Sequence, residues 1–148
     1  MSPDLSKRCA AGGLRRAARA VTQLYDAELM AAGITITQFG ILNALANAKV
    51  ATQGVLGAML SLDSTTLSRT LLPLVESGWI ERCPGTDRRE HCLRLTAAGR
   101  KEWRQASSRW QRAQKRLRNA LGDQSWNQLQ RVLDRTMKAT SRSLKPGY

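Results

Sequence analysis

The chain has 148 residues, a length suited to one domain with its own core. Hydrophobic residues make up 42%, which excludes wholesale disorder, and no apolar run approaches the roughly 18 residues a membrane span needs. Lysine and arginine total 24 against 11 aspartate and glutamate, and the resulting +13 points to a polyanion, nucleic acid ahead of an acidic membrane.

Residues Met1 to Arg8 carry no apolar signal segment, so a cytoplasmic location is expected. Leu14, Ala17, Val21, Leu24 and Ala27 recur at steps of three and four, predicting an amphipathic helix from about Asp4 to Ala31 that Gly33 ends. Gly12 and Gly13 weaken its first half and suggest a kink or a close approach by a partner helix. Thr35 or Thr37 is positioned to cap a second helix carrying Phe39, Ile41, Leu42 and Leu45, which stops near Lys49.

Thr52 is placed to cap a short third helix with Val55, Leu56, Met59 and Leu60 facing inward. Asp63 plays the same part for a fourth, Ser64 to Ser77, whose buried stripe is Leu67, Leu71, Leu74 and Val75. Pro73 should bend that helix and Gly78 supplies its exit. Trp79 to Cys83 and Cys92 to Leu95 read as strands, with Pro84-Gly85 opening the turn between them.

Thr96 then caps a long helix whose stripe is Gly99, Trp103, Ala106, Trp110, Ala113, Leu117 and Ala120. Steps of four and three alternate along it, a heptad pattern suited to packing on another helix. Gly122 interrupts, and Asp123 caps a last helix carrying Trp126, Leu129, Leu133, Met137 and Leu144. The fold expected is mainly α with a small β-hairpin.

The third and fourth helices, joined by Leu60-Ser61-Leu62, form a helix-turn-helix. Short hydroxyls at Ser64, Thr65, Thr66 and Ser68 allow close approach to bases and phosphates, and Arg69 can fork onto guanine. Thr52 and Gln53, at the head of the third helix, complete the candidate contacts there. In the hairpin, Arg88 and Arg89 suit a narrow minor groove, with Asp87 holding one of them through a bidentate pair.

Glu-Ser-Gly-Trp-Ile-Glu-Arg, then Asp-Arg-Arg, then Leu-Arg-Leu-Thr-Ala-Ala-Gly resembles the MarR family of winged-helix repressors. Leu-Arg-Arg-Ala-Ala-Arg-Ala-Val-Thr-Gln-Leu-Tyr is similar to the first helix of many members. The resemblance implies a homodimer held by the first and the last two helices, reading a palindromic site in double-stranded DNA. Residues 1–34 and 97–148 would form the helical dimerisation region, and 35–96 the winged helix-turn-helix embedded in it.

Cys83 and Cys92 lie opposite each other in the simplest hairpin register, on one face, with Cβ atoms about 4.5–5.5 Å apart. Two thiolates so placed suit a soft ion, trivalent arsenic or antimony, cadmium or zinc, or could be oxidised to a disulfide. His91 points to the other face, and Cys9 is a third ligand only if the first helix of one subunit nears the wing. The plain alternative is that both cysteines pack as small apolar residues. No cofactor is required. A small effector would release the repressor by favouring a dimer whose recognition helices no longer match successive major grooves.

Two other readings stay open. The regulator could sense a small aromatic or phenolic ligand, with Trp79, Tyr25 and Trp103 as wall residues, or the chain could be a basic helical adaptor for RNA or acidic proteins. An enzyme is not expected: there is one histidine, no Gly-x-Ser-x-Gly, no phosphate-cradling glycine loop and no His-Glu-x-x-His, and Glu76 and Glu81 make no acid/base pair.

Overall fold

A computed structural model of the chain describes residues 9–85, 87 and 91–143. Its elements are α1 (Ala10–Leu29, followed by a 3-10 turn, Met30–Ala32), α2 (Ile36–Ala48), β1 (Ala51–Thr52), α3 (Gln53–Leu60), α4 (Ser64–Glu76), β2 (Ile80–Pro84), β3 (His91–Leu95), α5 (Ala97–Leu121) and α6 (Asp123–Ser143). The part of the first helix expected before Cys9, and Leu144, lie outside the described residues.

The helix starts follow local chemistry. Thr35 and Gln38 form a reciprocal capping box at α2, with the Thr35 hydroxyl accepting from Gln38 N and Gln38 Oε1 accepting from Thr35 N. Asp26 of α1 accepts from Ile36 N at 2.7 Å, tying the first helix to the start of the second. Gly33 and Gly78 both adopt left-handed backbone and stop the preceding segments. Helix α4 continues through Pro73, and α1 runs unbroken through Gly12 and Gly13. Asp123 differs from expectation. Gly122 O receives the first helical bond of α6, from Trp126 N, so Asp123 stands inside the first turn and accepts from Arg118 at 2.7 Å.

Contacts divide the chain into two units, Met1–Arg112 and Ala113–Tyr148. In the first, α2 is buried through Phe39, Ile41, Leu42, Ala44 and Leu45, and the core adds Leu29, Leu56, Leu67, Leu71, Leu74, Ile80, Leu93 and Leu95. Of the four α3 residues expected inside, Leu56 is buried and Leu60 half-buried, while Val55 and Met59 are about half exposed. One turn of an eight-residue helix can face only one core, and Val55 and Met59 share its outer side.

Two features depart further from the hairpin-only reading. Ala51–Thr52 adds a third strand, giving the antiparallel order β1-β3-β2 with Ala51 opposite Leu93 and Thr52 opposite Cys92. The heptad stripe of α5 begins inside the first unit. Ala106 is fully buried in its core, Trp103 and Trp110 pack against that core, and Trp110 stacks on Phe39 with centroids 5.8 Å apart. The first half of the stripe therefore covers α2 in the same chain, whereas its spacing alone suggests a partner helix.

In the second unit, the sequence-expected face of α6 is half-buried at Trp126 and Leu129 and open at Leu133 and Met137. Leu133 and Met137 are 38% and 53% exposed. On α1, Leu14 is likewise 43% exposed, and Tyr25 and Leu29 are the residues that the helix buries.

Candidate nucleic-acid interface

The helix-turn-helix is built around close backbone approach. Helix α3 ends at Ser61 in left-handed conformation, and Leu62 N then donates to Gly57 O at 2.9 Å. A Cβ on Gly57 would stand 3.1 Å from Leu62 O and 3.6 Å from Leu67, so glycine lets the two helices close up. A groove of about 320 Å³ remains between them, lined by Gln53, Gly54, Gly57, Ala58, Leu62, Ser64 and Leu67.

At the head of α4, Asp63 accepts from Thr66 N at 2.9 Å and from the Thr66 hydroxyl at 2.6 Å. Those bonds, the hydroxyl's first, shift the Asp63 carboxyl down from its ordinary value. One turn on, Gln53 Nε2 donates to Ser68 Oγ at 2.7 Å and pins α4 to α3. Thr66 and Ser68 thus have positioning bonds of their own. Ser64, Thr65 and Arg69 are exposed on the same helix and present the face that can reach base edges. Thr52 is half-buried and caps α3 by accepting from Val55 N at 3.2 Å, which sets the helix that carries Gln53.

The sheet registers Cys83 against Cys92 and Glu81 against Arg94. Alternation along the strands puts Thr52, Cys92 and Cys83 in one row across one face of the sheet, with the Glu81–Arg94 pair, 2.7 Å, beside them. Glu81 pushes the Arg94 guanidinium further up from its already high value through that hydrogen bond and its charge. Cys83 is buried and Cys92 half-buried. His91, opposite Pro84, is exposed on the other face, as expected. Among the described residues, no three or more of His, Cys, Asp and Glu gather as a metal site, so within one chain Cys9, exposed at the start of α1, does not join the pair. Asp87 is exposed. Arg88 and Arg89 lie outside the described residues.

Strand β3 passes into α5 through a junction sealed against the residues that precede β2. Thr96 N donates to Trp79 O at 3.0 Å, its hydroxyl donates to Gly78 O at 2.6 Å, and Gly99 N donates to that hydroxyl at 3.0 Å. Gly99, buried there, has no room for a Cβ, which would collide with the Trp79 carbonyl. Trp79 is accordingly engaged at this junction, and Tyr25 is buried, its hydroxyl pushed up by that burial. Of the three expected ligand-wall aromatics, Trp103 alone lines the groove of about 340 Å³ between α2 and α5, with Phe39, Asn43, Arg104, Ser107, Trp110 and Gln111. Asn43, absent from the sequence reading, accepts from Trp103 Nε1 at 3.1 Å.

A capped recognition helix, a second helix pinned across it and a three-stranded wing define a winged helix-turn-helix, the DNA-reading module of many regulators. A model of the MarR family matches residues 32–90. The DNA complex of the transcriptional regulator MosR of M. tuberculosis is 31% identical, with 92% of this chain and 98% of that one superposing at a TM-score of 0.82. A variant of MarR of E. coli, solved with operator DNA, is 27% identical and superposes over 91% and 99% of the two chains at 0.81. The uncharacterized HTH-type transcriptional regulator YwoH of Bacillus subtilis is 28% identical over 90 residues, which span 61% of this chain and 66% of that protein. The chain belongs to the MarR family of DNA-binding transcriptional regulators. That membership sets aside the adaptor reading and agrees with the expectation that the chain is not an enzyme. Among the described residues no single helix is long and apolar enough to cross a membrane.

Proposed function

We propose that the protein is a homodimeric repressor that reads a palindromic operator through two copies of α4 and is released when a thiol-reactive effector engages Cys83 and Cys92. The effector is a soft ion such as trivalent arsenic or antimony, cadmium or zinc, or an oxidant. The observation that carries this reading is the row Cys83, Cys92 and Thr52 on one sheet face. A ligand that draws the two thiols together acts one strand away from the oxygen that caps α3, and α3 holds α4 through Gln53 and Ser68. Chemistry in the wing is thereby linked to the recognition helix, and with it to the fit of two helices in successive major grooves.

Serine at Cys83 or Cys92 should leave operator binding intact and abolish release by arsenite or cadmium, read by fluorescence anisotropy on a labelled operator. Normal release of the double variant Cys83→Ser, Cys92→Ser by whatever induces the wild type would make the cysteines packing residues. The groove beside Trp103 favours a second reading in that event, a small aromatic acid seated between α2 and α5, with Arg104 available to its carboxylate.

For the reading of DNA itself, Arg69→Ala should relax discrimination at one base pair per half-site, costing about 1–3 kcal/mol against the preferred base. Selection from a randomised duplex pool with both proteins measures this. A uniform loss at every position would assign Arg69 to the phosphates.

A further inference from the structure

The positive charge of this protein is not concentrated in its DNA-reading module. Residues 35–96 hold six lysines and arginines against five aspartates and glutamates, a net +1. Residues 97–148 hold thirteen against three, a net +10, and nine of the thirteen are arginine. Within the module, Glu81 also occupies Arg94. Electrostatic attraction to phosphate scales with the number of cations brought to it, and a segment of net +1 supplies little of that attraction.

Among the described residues, six of those thirteen cations line open helix faces. In the first unit, Lys101, Arg104 and Arg112 are exposed on α5 and, at about 100° per residue, fall on one side, away from buried Ala106. In the second, Arg131, Arg135 and Lys138 recur along α6 at steps of four and three, all exposed, on the side opposite Leu133 and Met137. Few acids oppose them, and Asp123 is already held by Arg118.

We propose that each of these basic faces, the one on α5 and the one on α6, binds polyanions in addition to the winged helix and takes the phosphate backbone of double-stranded DNA without reading its sequence. Arginine forks bidentately onto phosphate oxygens, and cations spaced at about one helical turn, roughly 5.4 Å, follow a charged backbone with no groove contact needed. A membrane-surface helix needs a free apolar face opposite its cations, and on α5 that face is occupied, with Ala106 in the core and Trp103 and Trp110 packed against it. Along α5 the first exposed large hydrophobic is Leu121, 39% accessible, beyond the basic run from Arg100 to Arg118. Each face serves to hold the protein on DNA of any sequence while α4 samples for its site.

The test replaces Lys101, Arg104, Arg112, Arg131, Arg135 and Lys138 by glutamine in the full chain. A companion variant with lysine at the four arginines keeps the charge. Binding of a random-sequence duplex is titrated across a salt series, alongside a preferred duplex selected by the wild type. The glutamine variant should lose about tenfold or more in affinity for the random duplex at low salt, and its log–log salt slope should fall by about 0.9 for each phosphate it no longer neutralises. Its preference for the selected duplex should rise, and the lysine variant, which keeps the charge, should keep the wild-type salt slope. An unchanged slope in a glutamine variant that melts like wild type overturns the proposal. So does loss of binding to phosphatidylserine vesicles with duplex binding intact. If no preferred duplex can be selected at all, the winged-helix reading fails, while the slope on random DNA still decides the role of the basic faces.

Discussion

Gly99→Ala should lower the stability of the first unit by about 3 kcal/mol, the upper part of what overpacking normally costs. The obstacle is the main chain itself. The added methyl would collide with the carbonyl oxygen of Trp79, whose carbonyl carbon and Cα follow at 2.8 and 3.1 Å. A flexible side chain could swing away from such a clash, but this carbonyl accepts from Thr96 N and anchors the strand that leads into the wing. Relief requires the wing and the start of α5 to separate, which also strains the Thr96 bonds to Gly78 and Gly99. The melting midpoint should fall on the order of 10 °C. Gly13→Ala is the matched control. Its Cβ would meet nothing within 4 Å in the first turn of α1, so the same change there should be neutral or stabilise by up to about 0.5–1 kcal/mol. Circular dichroism melts of the two variants decide the matter, and equal midpoints would mean the junction relaxes without cost.

That junction also marks the limit of what the sequence discloses. Leu-Thr-Ala-Ala-Gly reads as the start of a capped helix, but nothing in the string says that the third residue after Thr96 lies on a carbonyl. Caps and periodicity, by contrast, are local, and Thr35, Thr52 and Asp63 stand where the sequence puts them because each bonds an amide three residues on. The opposition of Cys83 and Cys92 was legible for a similar reason, a hairpin register being set over a few residues. Strand β1 was not, since two residues have no period to detect.

The α5 stripe shows the difference between detecting a face and knowing what covers it. Trp103, Ala106 and Trp110 have the same spacing whether they meet a second chain or Phe39 of their own. The hydroxyls of α4 pose the equivalent problem in the site. Ser64, Thr65, Thr66 and Ser68 look alike in sequence, yet Asp63 takes Thr66 and Gln53 takes Ser68. The Gln53 bond spans fifteen positions and depends on how α3 lies against α4.

Leu133→Glu with Met137→Glu should convert the protein from dimer to monomer and weaken operator binding by about 10²–10⁴-fold. Trp126, Leu129, Leu133 and Met137 form one apolar face on α6, and Leu133 and Met137 remain 38% and 53% exposed in the single chain. A helix with such a face and a basic ridge behind it needs a second apolar surface to cover it, and in the proposed homodimer another copy of the chain would supply one. Two recognition helices on one palindrome gain from being joined, because binding the first half-site raises the effective concentration at the second; factors of about 10²–10⁴ are usual. Separating the subunits removes that gain and leaves each winged helix intact. Random-sequence duplex binding per chain should change little, since Arg131, Arg135 and Lys138 lie on the other side of α6. The apolar-face variant and the glutamine variant of the basic faces should therefore fail in opposite ways, one losing the operator and the other losing random DNA. Sedimentation velocity gives the oligomeric state, and anisotropy on full and half operators gives the affinity ratio. A variant that sediments as a dimer and binds the full operator normally would show that α6 does not hold the subunits together.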